Sequence, residues 1–333
     1  MKKVLSFLLI ASLVVALFAG CAAAPAASSA PAASSAASSE PAPASSSPAA
    51  ATKPTFMFCI SHMTNAWAKE AAESMKAAAD QAGADLIVNE AGKDINKQVS
   101  QIESGINQKV NAIIVEPVSA DGVIPAIEAA MKANIPVIVF NQAIKDPAKA
   151  TCFVGVANED GGYMEMSRAI KDMGGKGNVA LLLGPLGSEG QLGRSAGYKK
   201  AMDENPDVKV AFEETANWTT EEALKLAENW LQTGTEISAV VAQNDGMALG
   251  AVKAIEDKNL GGKIKVYGLD AVPDALQAVK DGRLEITVSQ ETSKQSAAAI
   301  ETAMKLFKGE SVDKQILVQF SIIDKTNVDT YLK

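Results

Sequence analysis

From Thr55 onward, short unbroken apolar runs alternate with longer stretches of amphipathic pattern. Residues 56–60 form an apolar run of strand length. Residues 66–82 carry Trp67, Ala71, Met75, Ala78 and Ala82 at helical spacing. The same reading predicts strands at 85–88, 112–115, 136–140 and 152–156, with helices at 94–108, 121–133 and 160–173. A second series follows, with strands at 179–183, 208–212, 239–242, 265–268 and 285–288. Helices at 191–205, 220–231, 247–257 and 273–280 separate them. A last helix at 293–307 precedes an extended stretch near 316–323.

Continuous apolar strands joined through helices imply parallel sheets covered on both faces. Two series of similar length predict an α/β chain with two doubly wound, Rossmann-like parallel-sheet domains and a cleft between them. Each predicted strand ends in polar residues: 61–65, 116–121, 141–142, 187–191, 217–218, 243–245 and 269–270. Ligands of open α/β sheets bind at the carboxyl ends of strands, so these clusters are the candidate site.

The first 53 residues follow a different pattern. Met1-Lys2-Lys3 is followed by an apolar run over residues 4–19, interrupted only by Ser6 and Ser12, and then by Gly20-Cys21. This predicts a secretory signal over residues 1–20, cut before a lipidated Cys21, with an Ala/Ser/Pro linker over 21–53. Phe18 stands where such cleavage sites usually carry Leu. The run is shorter than the roughly 20 residues of a spanning helix. An extracytoplasmic protein, lipid-anchored to the cell membrane, is expected.

Composition narrows the function. The formal charge is −8, near −10 once Lys2 and Lys3 leave with the signal, and no basic patch appears, which argues against nucleic acid. Cys59 and Cys152 fall in apolar strand-like runs and read as buried free thiols. His62 is the only histidine, so neither a zinc site nor a Ser/His/Asp triad is expected; no metal, no cofactor and no enzymatic activity are predicted. Gly184 to Gly190 lacks the Lys-Ser/Thr ending of a phosphate loop and reads as a strand-to-helix turn.

Several blocks carry a resemblance. Gln243-Asn-Asp-Gly-Met-Ala-Leu-Gly250, Gly268-Leu-Asp270, Pro136-Val-Ile-Val-Phe-Asn141 and Phe58-Cys-Ile-Ser-His-Met-Thr-Asn-Ala-Trp67 resemble the ribose- and galactose-binding proteins. These are type I periplasmic sugar-binding proteins of ABC importers, and the likeness runs from Thr55 to Lys333. It implies the type I periplasmic-binding-protein fold with a three-strand hinge near residues 157, 290 and 318. The N-terminal lobe would comprise 54–157 plus 291–318, and the C-terminal lobe 158–290 plus 319–333. It also implies that the strands of Cys59 and Cys152 are not neighbours, beyond disulfide reach. Repressors of the lactose-repressor type share the fold but need a DNA-binding headpiece, where this chain has a signal-like segment.

A polyol offers hydroxyls at its edge and C–H groups on its faces, so its site needs aromatic walls and planar hydrogen-bonding groups. The resemblance places Trp67 and Trp218 as walls; core packing is the alternative for each. Trp230 reads as core. Arg194 matches the family's sugar-gripping arginine, against a plain surface role, and its planar fork suits two ring oxygens. Asp270 matches the family's hydroxyl acceptor, against an N-cap role. Asn65, Asn141, Gln142, Asn244 and Gln290 complete the ligand-binding candidates. Asn244 is taken as the binding member of its pair and Asp245 as the helix cap. His62 is either a ligand contact or an ordinary loop residue.

The pattern departs from the family at Gln142, which follows neither type, and at Ser188 and Gly190, where the galactose type has His and Asp. The galactose type's calcium loop is replaced by Gly174-Gly-Lys-Gly177. The resemblance implies a monomer that binds a monosaccharide or similar neutral polyol by hinge closure and delivers it to an ABC permease. A nucleoside or furanosyl signal molecule as ligand, or a sugar sensor serving a chemoreceptor or kinase, are the alternatives.

Overall fold

The computed structural model describes residues 53–332. The signal segment 1–20, Cys21 and the linker through Thr52 lie outside the described residues. Two six-stranded sheets organise the chain. The first is built from β1 (Thr55–Ile60), α1 (Ala66–Ala82), β2 (Asp85–Glu90), α2 (Ile95–Gln108), β3 (Ala112–Val115), α3 (Ile124–Lys132), β4 (Val137–Asn141) and β5 (Cys152–Gly155). The chain then enters the second sheet through α4 (Asn158–Asp172), β6 (Gly177–Leu183), α5 (Glu189–Asp203), β7 (Val208–Thr215) and α6 (Thr220–Gln232). It continues with β8 (Ala239–Ala242), α7 (Asp245–Asp257), β9 (Lys265–Leu269), α8 (Pro273–Asp281) and β10 (Ile286–Ser289). Helix α9 (Thr292–Phe307) returns to pack on α1, and β11 (Gln315–Leu317) and β12 (Ser321–Asp324) end the series.

The strand orders are β2-β1-β3-β4-β5-β11 and β7-β6-β8-β9-β10-β12, so both sheets are wound in the same sense. Every pairing is parallel except β10 with β12. Parallel neighbours need a crossover, which the helices supply while covering both faces. Alternate residues of one strand therefore enter different cores. Met57 and Cys59 join Ile113, Val115, Val137 and Val139 on one face, while Phe56, Phe58 and Ile60 join Ile114, Ile138 and Phe140 on the other. The α/β class and the doubly wound arrangement agree with the periodicity.

Some details differ from the sequence reading. The extended stretch near 316–323 is two strands in two sheets: β11 pairs with β5 and β12 with β10, so residues 318–320 cross between them. Helix α3 begins at Ile124 rather than 121, because Gly122 N–H donates to Ser119 Oγ (3.1 Å) and holds a turn ahead of it. Cys59 on β1 and Cys152 on β5 are free and buried, with β3 and β4 between their strands. Burial pushes the Cys59 thiol up to about 12. Trp230 is buried against Phe212, and its Nε1–H donates to Glu214 Oε1 (2.7 Å).

Candidate functional site

The carboxyl ends of β1, β3 to β5 and β6 to β10 open onto one cavity between the two sheets. Asn65, Trp67, Asn141, Gln142, Arg194, Trp218, Asn244, Asp270 and Gln290 all line it. His62, Glu116, Asn158 and Gly190 complete the lining.

On the first sheet's side, Asn65 caps α1 by accepting from Ala68 N–H (2.9 Å), and its side-chain NH₂ has no hydrogen-bond partner among the described residues. Trp67, in the first turn of α1, is only 7% exposed, and its indole N–H is buried with no hydrogen-bond partner. It belongs both to the core and to the cavity wall. Glu116 follows β3 directly and is buried; Ser61 N–H donates to its Oε2 (2.8 Å). Asn141 ends β4, and its Nδ2 donates to Gln290 Oε1 (2.9 Å) and Gln295 Oε1 (3.2 Å).

On the second side, α4 and α5 approach closely through glycines. A Cβ on Gly162 would meet the backbone of Arg194, and one on Gly197 the backbone of Glu159. This approach seats Arg194 against α4, where its Nε–H donates to Asn158 Oδ1 (3.0 Å). Another of its nitrogens, Nη1, donates to the carbonyl of Gln243. The guanidinium also lies 5.4 Å from the ring of Trp218, a cation–π placement. Trp218 in turn packs on Gly184, whose missing Cβ leaves room for the indole. Asp270 is buried; its Oδ1 accepts from Gln290 Nε2 (2.6 Å), and its Oδ2 has no hydrogen-bond partner among the described residues. Gln290 thus joins Asp270 of one sheet to Asn141 of the other.

The backbone is held in an uncommon state here. Of the ten non-glycine residues with positive φ among the described residues, six lie at the cavity or at the crossing beside it. They are Asn141 (59°), Asn217 (52°), Trp218 (64°), Asp270 (140°), Ala271 (63°) and Glu291 (53°). Each costs on the order of 1 to 3 kcal/mol, so the surrounding packing fixes these side chains in place.

Buried charge concentrates around Arg194. Burial is the main cause of every shift that follows. Glu165 is fully buried and pushed up to about 8, opposed by the hydrogen bond from Tyr198 Oη (2.6 Å) and by Arg194. Asp245 and Asp270 are both raised; Arg194 opposes the rise in each, while Asp245 adds to it in Asp270. Glu116 is raised to about 7. His62 is lowered to about 4 by burial and then by Lys93, so it is neutral at physiological pH. Among the described residues, no group of three or more His, Cys, Asp or Glu side chains has a metal-holding arrangement.

One assignment is corrected. Asn244, not Asp245, caps α7: its side chain accepts from Met247 N–H (2.9 Å) while it also lines the cavity. Asp245 is fully buried instead, accepting from Thr287 Oγ1 (2.9 Å) and Val272 N–H (3.0 Å), which ties β8 to β10 and to the start of α8. Asp270 caps nothing, since α8 starts after Val272 without a side-chain cap. Sequence reasoning passed over Glu116 and Asn158. Glu116 is the first polar residue after a strand, the signal that found its neighbours.

Residues 56–311 match the family model of the periplasmic binding protein domain. The chain belongs to that family. It is a type I periplasmic sugar-binding protein of the ABC-transporter class, a group of extracytoplasmic binding proteins rather than enzymes. The chain is 37% identical over 267 residues to the xylitol-binding protein of Mycolicibacterium smegmatis, covering 79% of this chain and 75% of that one. An ABC transporter periplasmic solute binding protein from Actinobacillus succinogenes, solved with bound D-allose, superposes with TM-score 0.81 at 35% identity. The match covers 84% of this chain and 100% of that one. A solute binding protein from Bacillus halodurans, solved with bound myo-inositol, gives TM-score 0.80 at 33% identity, covering 84% and 97%.

Proposed function

We propose that this chain is the solute-binding subunit of an ABC importer, capturing a monosaccharide or similar neutral polyol and passing it to a membrane permease. The carrying observation is that aromatic walls and planar polar groups from both sheets converge on one cavity. Arg194 and Asp270 offer a paired donor and acceptor to adjacent hydroxyls, and Trp67 and Trp218 offer flat faces to ring C–H groups. Relatives named for xylitol, D-allose and myo-inositol support this ligand class.

The mechanism is hinge closure of two lobes, 54–157 plus 291–318 and 158–290 plus 319–333. Asn141, Gln290 and Asp270 form the link that closure completes at the back of the cavity. The protein works as a monomer held at the membrane by a lipid on Cys21, with the linker giving it reach. A dissociation constant near 1 μM corresponds to about −8 kcal/mol, within reach of a few buried charged hydrogen bonds. A thermal-shift screen over pentoses, hexoses, cyclitols and nucleosides tests the reading. At 100 times its dissociation constant a ligand adds roughly 2.7 kcal/mol of stability. Stabilisation by a sugar or cyclitol is expected; stabilisation by nucleosides alone overturns the polyol assignment.

A further inference from the structure

The cavity is electrostatically uneven. Asp270 and Arg194 line it together, a carboxylate and a guanidinium that oppose each other while presenting both hydrogen-bonding polarities. Glu116 also lines it, 3% exposed, and among the described residues its side-chain hydrogen bonds come from Ser61 alone. No Lys, Arg or His among the described residues pairs with it. His62, which shares the cavity, is neutral.

The backbone that carries this carboxylate is also held. Gln98 is fully buried; its Nε2 donates to the Glu116 carbonyl (2.8 Å), and its Oε1 accepts from Val118 N–H (2.8 Å). The backbone on both sides of Glu116 is therefore fixed by one side chain reaching from α2.

A buried carboxylate with no counter-charge is costly, and a partner that brings both a proton donor and a positive charge relieves that cost best. A ligand hydroxyl supplies only the donor. An ammonium supplies both, and charge-assisted hydrogen bonds are roughly twice as strong as neutral ones. We propose that Glu116 makes this site select a polyol bearing a protonated primary amine, an amino sugar or aminocyclitol, over its all-hydroxyl counterpart. The inference rests on the polyol reading above and replaces its neutral ligand with one that carries a single positive charge.

Calorimetric titration of the full chain at pH 7.5 against matched probes tests it: 1-amino-1-deoxyxylitol with xylitol, and an inosamine series with myo-inositol. In at least one pair the amine is expected to bind roughly tenfold tighter or more, as one added charge-assisted bond implies. In Glu116→Gln, whose amide oxygen still accepts from Ser61 N–H, that advantage is expected to disappear. The wild-type ratio stands whether or not the variant folds. All-hydroxyl members that bind as tightly as, or tighter than, every amine partner overturn the role of Glu116 and leave the polyol reading intact. An advantage that persists in a folded Glu116→Gln also overturns it. A chain that binds no member of any pair overturns the role of Glu116, and the polyol reading falls with it only if no pentose, hexose or cyclitol stabilises the chain in the thermal-shift screen.

Discussion

The substitution Asp270→Asn separates binding from folding. In the structure, Asp270 lines the cavity; its Oδ1 is occupied by Gln290 Nε2, while its Oδ2 has no hydrogen-bond partner among the described residues. The substituted side chain would keep its carbonyl oxygen toward Gln290 and place an NH₂ where the ligand meets an acceptor. The lost interaction is a buried charged hydrogen bond, about 1.5 to 3 kcal/mol, which weakens binding roughly 10- to 150-fold. Folding responds in the other direction. Burial, with Asp245 nearby, raises the Asp270 carboxyl above the usual carboxylate range, so the ionised form is disfavoured in the native state. A neutral isostere removes that penalty, and the ligand-free melting temperature at pH 7.5 is expected to hold or rise. Calorimetry with the tightest of D-allose, myo-inositol and xylitol measures the first effect, and a ligand-free melt the second. A variant that folds and binds within about twofold of wild type would refute the role assigned to Asp270.

Three further outcomes are expected. Gly184→Ala puts a methyl group where the Trp218 indole lies, so affinity should fall about threefold to tenfold in titrations, the range of an aromatic contact, with the melt changing less than binding. Glu165 has its folded-state pKa raised from 4.5 to about 8, so the native state holds a proton the unfolded chain has released across that window. Its contribution is therefore fully present below pH 4.5 and is lost as pH rises towards 8; Glu165→Gln should flatten the decline of the ligand-free melting temperature between pH 5 and 8. Cys21→Ser should move the protein from the detergent phase to the aqueous phase in a phase-partition experiment. Equal partition of the two forms would exclude lipid anchoring through Cys21.

How much was legible follows from the physics of each element. The strands were readable because both faces of each sheet are covered, so residues such as Phe56 to Ile60 are apolar without interruption. The lining of the cavity was readable because the first polar residues after those strands gather at the strands' carboxyl ends, and motif resemblance singled out Asp270 there and Arg194 on the following helix α5. The choice between Asn244 and Asp245 was not readable. It depends on which residue keeps an extended backbone, and Asn244 does so at φ −150°. Asp245 is drawn inward by Thr287, 42 positions away, a contact no local pattern records. Asn158 enters the site through Arg194, 36 positions away, for the same reason. The left-handed backbone at Asp270 and Ala271 leaves no mark either, since neither is the glycine such angles favour. The split of β11 from β12 is likewise tertiary: an apolar run does not say which sheet each half will join.

The central claim is that this cavity captures one polyol between its two tryptophans. Intrinsic tryptophan fluorescence tests it most directly, because Trp67 and Trp218 line the cavity while Trp230 is buried against Phe212. Titration with D-allose, myo-inositol and xylitol should give, for at least one, a saturable change at one equivalent per chain that is lost in the double variant Trp67→Phe, Trp218→Phe. A linear, non-saturating response to all three, or a saturable change that survives in the double variant, would contradict the account.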